Sequence, residues 1–481
     1  MPVSKYTFLA TLECRTMGWR AHREGRGDVG PGISWRFYEG HQVQDHARQW
    51  LGAGRLLPSG TSQVALDTTA AAVADPASTL LFEATFAADG CVARADALIR
   101  RDGGWEIVEI KSGTWKGDDK PKPDHIDDLG YTCAVALASG LPVVAASLIM
   151  LNSEYVVGGA EPLLVKVDAT AVALDRAAVL RDHLADIAHV VEGERPEPTM
   201  IFYCKKCDHF AVDCVGHGIP DPLFDIPRLS QVRFDEFAPY GRISALPLEA
   251  QLTDIQSAFV AVSRSGRPTV NPGALSQLDR MTWPHYYLDF EAVQPAIPRF
   301  PGTRPYQKHP FQYSLHVRQQ DGTEEHFEYL ATVAHDWRRD LTERLLDHLG
   351  TTGSIVVYSN YEELVLKQLA AWFPDLESRL NAAIARLFDL EKVVRKGYVH
   401  PEFRGRTSIK KVLPVMSPTL SYEGMTVAGG EDAAAVFGFM WLGEYPAEDH
   451  PRHREDLLRY CKRDTEAMVH VHEGLERVRL S

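Results

Sequence analysis

Short runs of aromatic and β-branched residues alternate along this chain with longer stretches of helical period, the pattern of a mixed α/β protein. The most distinctive run is Tyr286-Tyr287-Leu288-Asp289-Phe290-Glu291-Ala292. Its composition suits a buried, pleated strand. Alternate side chains of a strand share a face, so Asp289 and Glu291 point one way while Leu288, Phe290 and Ala292 point the other. Carboxylates about 7 Å apart on a buried face repel each other and lose hydration, and a divalent cation answers both costs. Residues 91–100 and 105–111 read as two strands joined at Asp102-Gly103-Gly104, a hairpin. Residues 355–358 form a β-branched strand leading into a helix that starts near Tyr361. Residues 452–471 carry helical periodicity, with Tyr460 and Asp464 at i and i+4 on one face.

The uncharged stretch 131–151 is long enough to span a membrane, but Ser139-Gly140-Leu141-Pro142 interrupts it. It is read as an alanine-rich helix, a turn and a buried strand over 143–151. A length of 481 residues implies two or three domains, and 45% hydrophobic with 24% charged residues is a globular composition. The net charge of −14 argues against a protein that coats nucleic acid by bulk electrostatics, though not against a nuclease with local contacts. No basic-then-apolar leader opens the chain, so the expected compartment is the cytoplasm, with no membrane partner.

Of seven cysteines, Cys204, Cys207 and Cys214 form a C-x2-C-x6-C loop that needs a fourth ligand from elsewhere. Zinc and an iron–sulfur cluster both suit it. Cys91, Cys133 and Cys461 lie in apolar or helical settings and read as buried residues. In the hairpin, Asp96 falls mid-strand, and Glu109 and Lys111 share a face of the partner strand. Two acids to hold a cation and a lysine to position water are what metal-dependent phosphodiester hydrolysis uses. Cys14, Glu83, Asp96, Glu109-Ile110-Lys111-Ser112-Gly113 and the late cysteines stand in an order that resembles the RecB-type PD-(D/E)XK nucleases of the iron–sulfur kind. The resemblance covers about residues 1–220. It implies that Cys14, Cys204, Cys207 and Cys214 bind a 4Fe–4S cluster, with zinc the alternative, and that Asp96 and Glu109 bind metal beside catalytic Lys111. Two positions depart from that family. Gln44 stands four residues after Gly40, where the family has His or Glu, and the segment before Tyr131 lacks the family's glutamine.

The proline-rich stretch after Cys214 reads as a helical and loop connector over 221–280. Beyond it, Asp289 and Glu291 on a strand, Glu362 after a later strand, and Tyr460 with Asp464 on a final helix resemble the tyrosine-containing branch of the DnaQ-like (DEDD) exonucleases. That resemblance covers residues 281–481 and implies an RNase H-like fold. Asp289, Glu291, Glu362 and Asp464 would hold Mg or Mn, and Tyr460 would orient or deprotonate the attacking water. Glu362 replaces the usual aspartate. Tyr287–Glu291, Pro305-Tyr306-Gln307 and residues 310–316 look like signature stretches of a bacterial family of undefined function that joins these two halves. Between residues 392 and 411, Lys392, Arg395, Lys396, Arg404, Arg406, Lys410 and Lys411 outnumber the nearby acids. Of these, Arg404, Arg406, Lys410 and Lys411 are candidate nucleic-acid contacts, with Tyr398 and Phe403 for stacking. The expected function is a two-site, metal-dependent nuclease, foremost a DNA exonuclease acting on single strands or ends. An RNA-processing exonuclease and a nucleic-acid-binding component of a repair or defence complex, with one or both sites inactive, are the alternatives.

Overall fold

The structure, a computed structural model, describes residues 1–25, 29–117, 120–333 and 335–480. It is mixed α/β and divides into two compact units, Met1–Thr199 with Pro295–Gln307, and Met200–Gln294 with Lys308–Ser481. Among the described residues, no helix is long and apolar enough to cross a membrane.

The first unit is built on a six-stranded sheet whose strands lie side by side in chain order. They are β1 (Arg55–Leu56), β2 (Leu80–Ala88), β3 (Cys91–Arg101), β4 (Gly104–Trp115), β5 (Val143–Asn152) and β6 (Leu164–Asp168). The β3–β4 hairpin is the expected one, turning at Asp102-Gly103 with Gly103 at φ +82°. A second turn was not read from the sequence. Asp89 and Gly90, at φ +50° and +78°, supply the two left-handed residues of a primed turn and join β2 to β3. Strands β4 and β5 run parallel, so their connection must cross over, and the helix Pro123–Ala138 makes the crossing. Its Leu129, Tyr131, Cys133 and Ala134 are buried in the sheet's core. The uncharged stretch 131–151 is therefore a helix, a turn and a buried strand.

In the second unit a two-stranded ribbon pairs β7 (Thr269–Val270) with a late strand, β13 (Tyr398–Val399). The main sheet has the order β10-β9-β8-β11-β12. Its members are β8 (His285–Val293), β9 (His309–Arg318), β10 (Glu324–Leu330), β11 (Ser354–Val357) and β12 (Leu387–Asp389). The central β8 pairs antiparallel with β9 and parallel with β11. The helices Gly430–Leu442 and His450–Leu480 pack on it, and nearly every one of its residues is buried. A strand so covered would normally be apolar throughout. Asp289 and Glu291 are the exception.

The expected connector, 221–280, belongs with the second unit, and the division falls after Thr199 rather than at 220. The reason lies in its aromatic residues. Phe210, Phe224, Phe234, Phe237 and Phe259 close on one another in a separate core that includes Cys204. The helix Asp254–Ser265 is bounded by a Thr253/Gln256 capping box and by Gly266 at φ +66°.

One buried acid in the first unit forms no ion pair among the described residues. Glu39, on the helix Pro31–Leu51, is 7% exposed and accepts a 2.7 Å hydrogen bond from the Ala296 amide. Burial raises its pKa from 4.5 to about 7, against the opposing pull of that amide. An acid with a raised folded-state pKa lends full stability below its unfolded pKa and loses it as pH climbs through the folded value. Glu39→Gln keeps an acceptor for Ala296 and removes the titration. Its melting temperature should match the parent at pH 4.5 and exceed it at pH 8, by an amount equivalent to at most about 3 kcal/mol. Parallel melting curves across that window would show that Glu39 does not titrate there.

Candidate metal centre

The acids of β8 are met by side chains from the last helix. Gln312 of β9, opposite Glu291, donates a 2.9 Å bond to the Leu457 carbonyl, and Ser314, opposite Asp289, shares a 2.7 Å bond with Thr465. These ties fix the helix against the sheet, and its i, i+4 spacing brings Tyr460 and Asp464 to the carboxylates. Asp289, Glu291 and Asp464 each offer an oxygen within 4.8 Å of the others. Among the described residues this is the one such group of three or more metal-ligating side chains.

The electrostatics follow from burial. Asp289 is held well above the carboxylate range by desolvation and then by the charges of Asp464, Glu291 and Glu362. Glu291 is raised by burial and by Asp464, with Lys410 opposing. Asp464 is raised by burial, while a 2.5 Å hydrogen bond from the Tyr422 hydroxyl works the other way. The Lys410 ammonium donates to the Tyr460 hydroxyl at 3.3 Å and also to the Ala428 carbonyl. Burial and then Asp464 push the Tyr460 phenol far above its ordinary range.

Glu362 opens the helix Tyr361–Trp372 and is 4% exposed. It lies outside the trio, yet its charge raises Asp289. Its Oε2 is buried without a hydrogen-bond partner among the described residues. An orphaned carboxylate oxygen beside three converging acids fits a hard divalent cation, which takes oxygen ligands.

Three contributors were not identified from the sequence. Tyr422 sits in an irregular stretch with no pattern to mark it. Lys410 appeared there only as part of a basic run. At Gly430, a Cβ would lie 3.3 Å from Glu291 Oε2, so glycine lets the start of the helix Gly430–Leu442 approach that carboxylate.

The acidic hairpin of the first unit is arranged differently. Asp96 Oδ2 accepts from the Ile110 amide at 2.7 Å, extending the β3–β4 ladder with a side chain. Gln44 bridges Glu83 Oε1 at 2.8 Å and Asp96 Oδ1 at 3.1 Å. Glu83 also pairs with Arg48 and, at 2.7 Å, with Arg94. Its φ of +62° is strained for a residue with a Cβ, and such strain gathers at functional sites. Glu109 Oε1 accepts from Lys5 at 2.8 Å and Thr132 at 2.6 Å. Its Oε2 is 3.5 Å from Lys111, which also pairs with Asp128. Burial and then Glu109 raise Asp96, whereas Lys5 and Lys111 outweigh burial and hold Glu109 low. Tyr131 belongs to the core, its hydroxyl donating to the Val3 and Val92 carbonyls.

The cysteines are divided between the units. Cys14 precedes the helix Arg15–Glu24 in the first, and Cys204, Cys207 and Cys214 lie in the second. Cys204 is buried and the others are half-buried. The triplet does not converge as the acidic trio does. Of the basic candidates, Arg404 is tied to the Pro220 carbonyl at 2.7 Å and to Asp225 at 3.1 Å, and Lys410 turns to Tyr460. Arg406 and Lys411 are exposed.

A family model described as a domain of unknown function, DUF2779, matches residues 286–408. The match takes in β8 from Tyr286 onward and Glu362, and ends before Lys410, Tyr460 and Asp464. No curated protein and no solved structure matches the chain.

Carboxylates with raised pKa values hold protons that a cation must displace, so cation binding should strengthen with pH. In EDTA the melting temperature of the second unit should fall as pH rises and the acids ionise. Adding Mn²⁺ should restore it, with about 2.7 kcal/mol of stabilisation at a hundredfold excess over Kd. Asp289→Asn should blunt both effects. A melting temperature indifferent to Mn²⁺ at pH 8 would count against a metal centre.

Proposed function

We propose that the second unit is a metal-dependent nuclease of the tyrosine-containing DEDD class, with an RNase H-like fold, acting foremost on DNA from a chain end. The observation that carries this reading is the convergence of Asp289, Glu291 and Asp464, beside the orphaned oxygen of Glu362, under the hydroxyl of Tyr460. The order β10-β9-β8-β11-β12, with the acids on the central strand, supports the same reading. Bound divalent cations would polarise the phosphodiester and lower the pKa of the attacking water. The four carboxylates would hold them. Tyr460 would orient or deprotonate the attacking water. Lys410 fixes the direction of that hydroxyl.

The first unit fits the RecB-like PD-(D/E)XK reading in its β2–β3–β4 meander, crossing helix and Asp96–Glu109–Lys111 set. Its charges favour a second reading for that unit. Lys5 and Lys111 already partner Glu109, and Arg48 and Arg94 partner Glu83, which suits a nucleic-acid-binding role with slow or absent cleavage. On their C-x2-C-x6-C spacing alone, since they do not converge here, Cys204, Cys207 and Cys214 are proposed as three of the four ligands of an iron–sulfur cluster, with zinc as the alternative.

Single-stranded DNA labelled at either end, incubated with Mg²⁺ or Mn²⁺, should be degraded by the parent protein. Asp289→Asn should slow this at least about a hundredfold, and Asp96→Ala should slow it much less. Equal degradation by parent and Asp289→Asn would sink the assignment of the second unit, and RNA of the same sequence tests the sugar. Anaerobically purified protein should carry iron and sulfide that Cys204→Ser reduces. Zinc without visible absorption would replace the cluster with a structural ion.

A further inference from the structure

A cavity of about 840 Å³ opens in the second unit between the helix Asp254–Ser265 and the segment running from the helix Leu390–Gly397 to Thr407. None of the acids of the metal centre is among its described lining residues. Its wall is apolar, with Ile255 47% exposed at the mouth and Phe259 and Tyr398 behind it. Its rim carries Arg228, Arg395, Lys396 and Arg406 against Asp254 and Glu391. Glu391 is already engaged, accepting from Thr407 at 2.5 Å and lying 3.5 Å from Arg395. Arg228, Lys396 and Arg406 are exposed and form no ion pair among the described residues. In a chain of net charge −14, three unpaired cations around one apolar cavity are a local reversal of sign.

The rim is a built feature. Arg404 and Gly405 take φ +51° and +66° in succession, and a Cβ at Gly405 would sit 1.8 Å from the Asp225 carbonyl oxygen, so only glycine fits. Arg404 pins that turn to Pro220 and Asp225, and the next residue, Arg406, is presented at the cavity. The same run of chain continues through Thr407 into the helix Ile409–Met416, whose Lys410 reaches Tyr460 in the metal centre.

Cations for phosphates beside an apolar wall for a base are the means by which proteins hold single strands. We propose that this cavity is a second nucleic-acid contact, gripping a single-stranded segment away from the metal centre. Phosphates lie on Arg228, Lys396 and Arg406, and a base lies against Ile255 and Phe259. The identity of the ligand rests on the nuclease reading above.

The test uses the full chain in EDTA, where cleavage is blocked, with a fluorescein-labelled thymidine oligonucleotide followed by anisotropy across a salt series. The double variant K396E/R406E should bind at least tenfold more weakly. Its slope of log affinity against log salt should be shallower by about 1.4, two contacts at about 0.7 each on a single strand. R228E, on a separate segment, should lose about half that slope and keeps the test decisive if the double variant melts early. Unchanged affinity and slope in both variants would overturn the proposal, as would displacement of the oligonucleotide by thymidine monophosphate at equal nucleotide concentration. Weakened binding in the variants with no Mg²⁺- or Mn²⁺-dependent degradation by the parent leaves the cavity assignment standing and removes the nuclease reading. Degradation by the parent with binding unchanged in the variants does the reverse.

Discussion

Like charges buried together govern the second unit. Asp289 and Glu291 lie on the central, largely buried strand of its sheet, and Asp464 is brought within 4.8 Å of both. Repulsion among desolvated carboxylates opposes that arrangement, and the surrounding structure has to supply the opposing force. It does so through anchors that are not themselves acidic. Gln312 holds Leu457, Ser314 holds Thr465, and Tyr422 and Lys410 offer a hydroxyl and an ammonium to the cluster's edge. A bound cation would relieve that cost.

The first unit meets a similar problem with a different solution. Glu109, Glu83 and Asp96 are buried or half-buried, but lysine, arginine and glutamine side chains from the helices Lys5–Glu13 and Pro31–Leu51 and from β3 satisfy them. Charge is balanced within the protein, so less of it is left for an ion. The contrast gives the two units different expected roles even though both carry acids on the inner strands of a sheet.

Much of this was legible in local pattern. The β3–β4 hairpin, the helix and strand across 131–151, β8, β11 and the final helix all follow from residue alternation, turn residues and helical spacing. These signals are local, and neighbouring structure did not override them. The final helix extends to Leu480, beyond the periodicity over 452–471. The segment 200–280 was underread because its phenylalanines are spaced irregularly and acquire meaning only when they close on one another.

What the sequence determined by itself is which residues could carry chemistry: Asp289 with Glu291 on one strand face, Tyr460 with Asp464 on one helix face, and Asp96 with Glu109 and Lys111 on a hairpin. Period 2 and period 3.6 are properties of the backbone, so those pairings needed no tertiary information. Tertiary structure alone decided which of them meet. It joined the strand pair to the helix pair, left Glu362 beside the trio with an unpartnered oxygen, set Gln44 between Glu83 and Asp96, and turned Lys410 from a basic run toward Tyr460. Those contacts link residues far apart in the chain, and their distances depend on how whole elements pack, which no local spacing encodes.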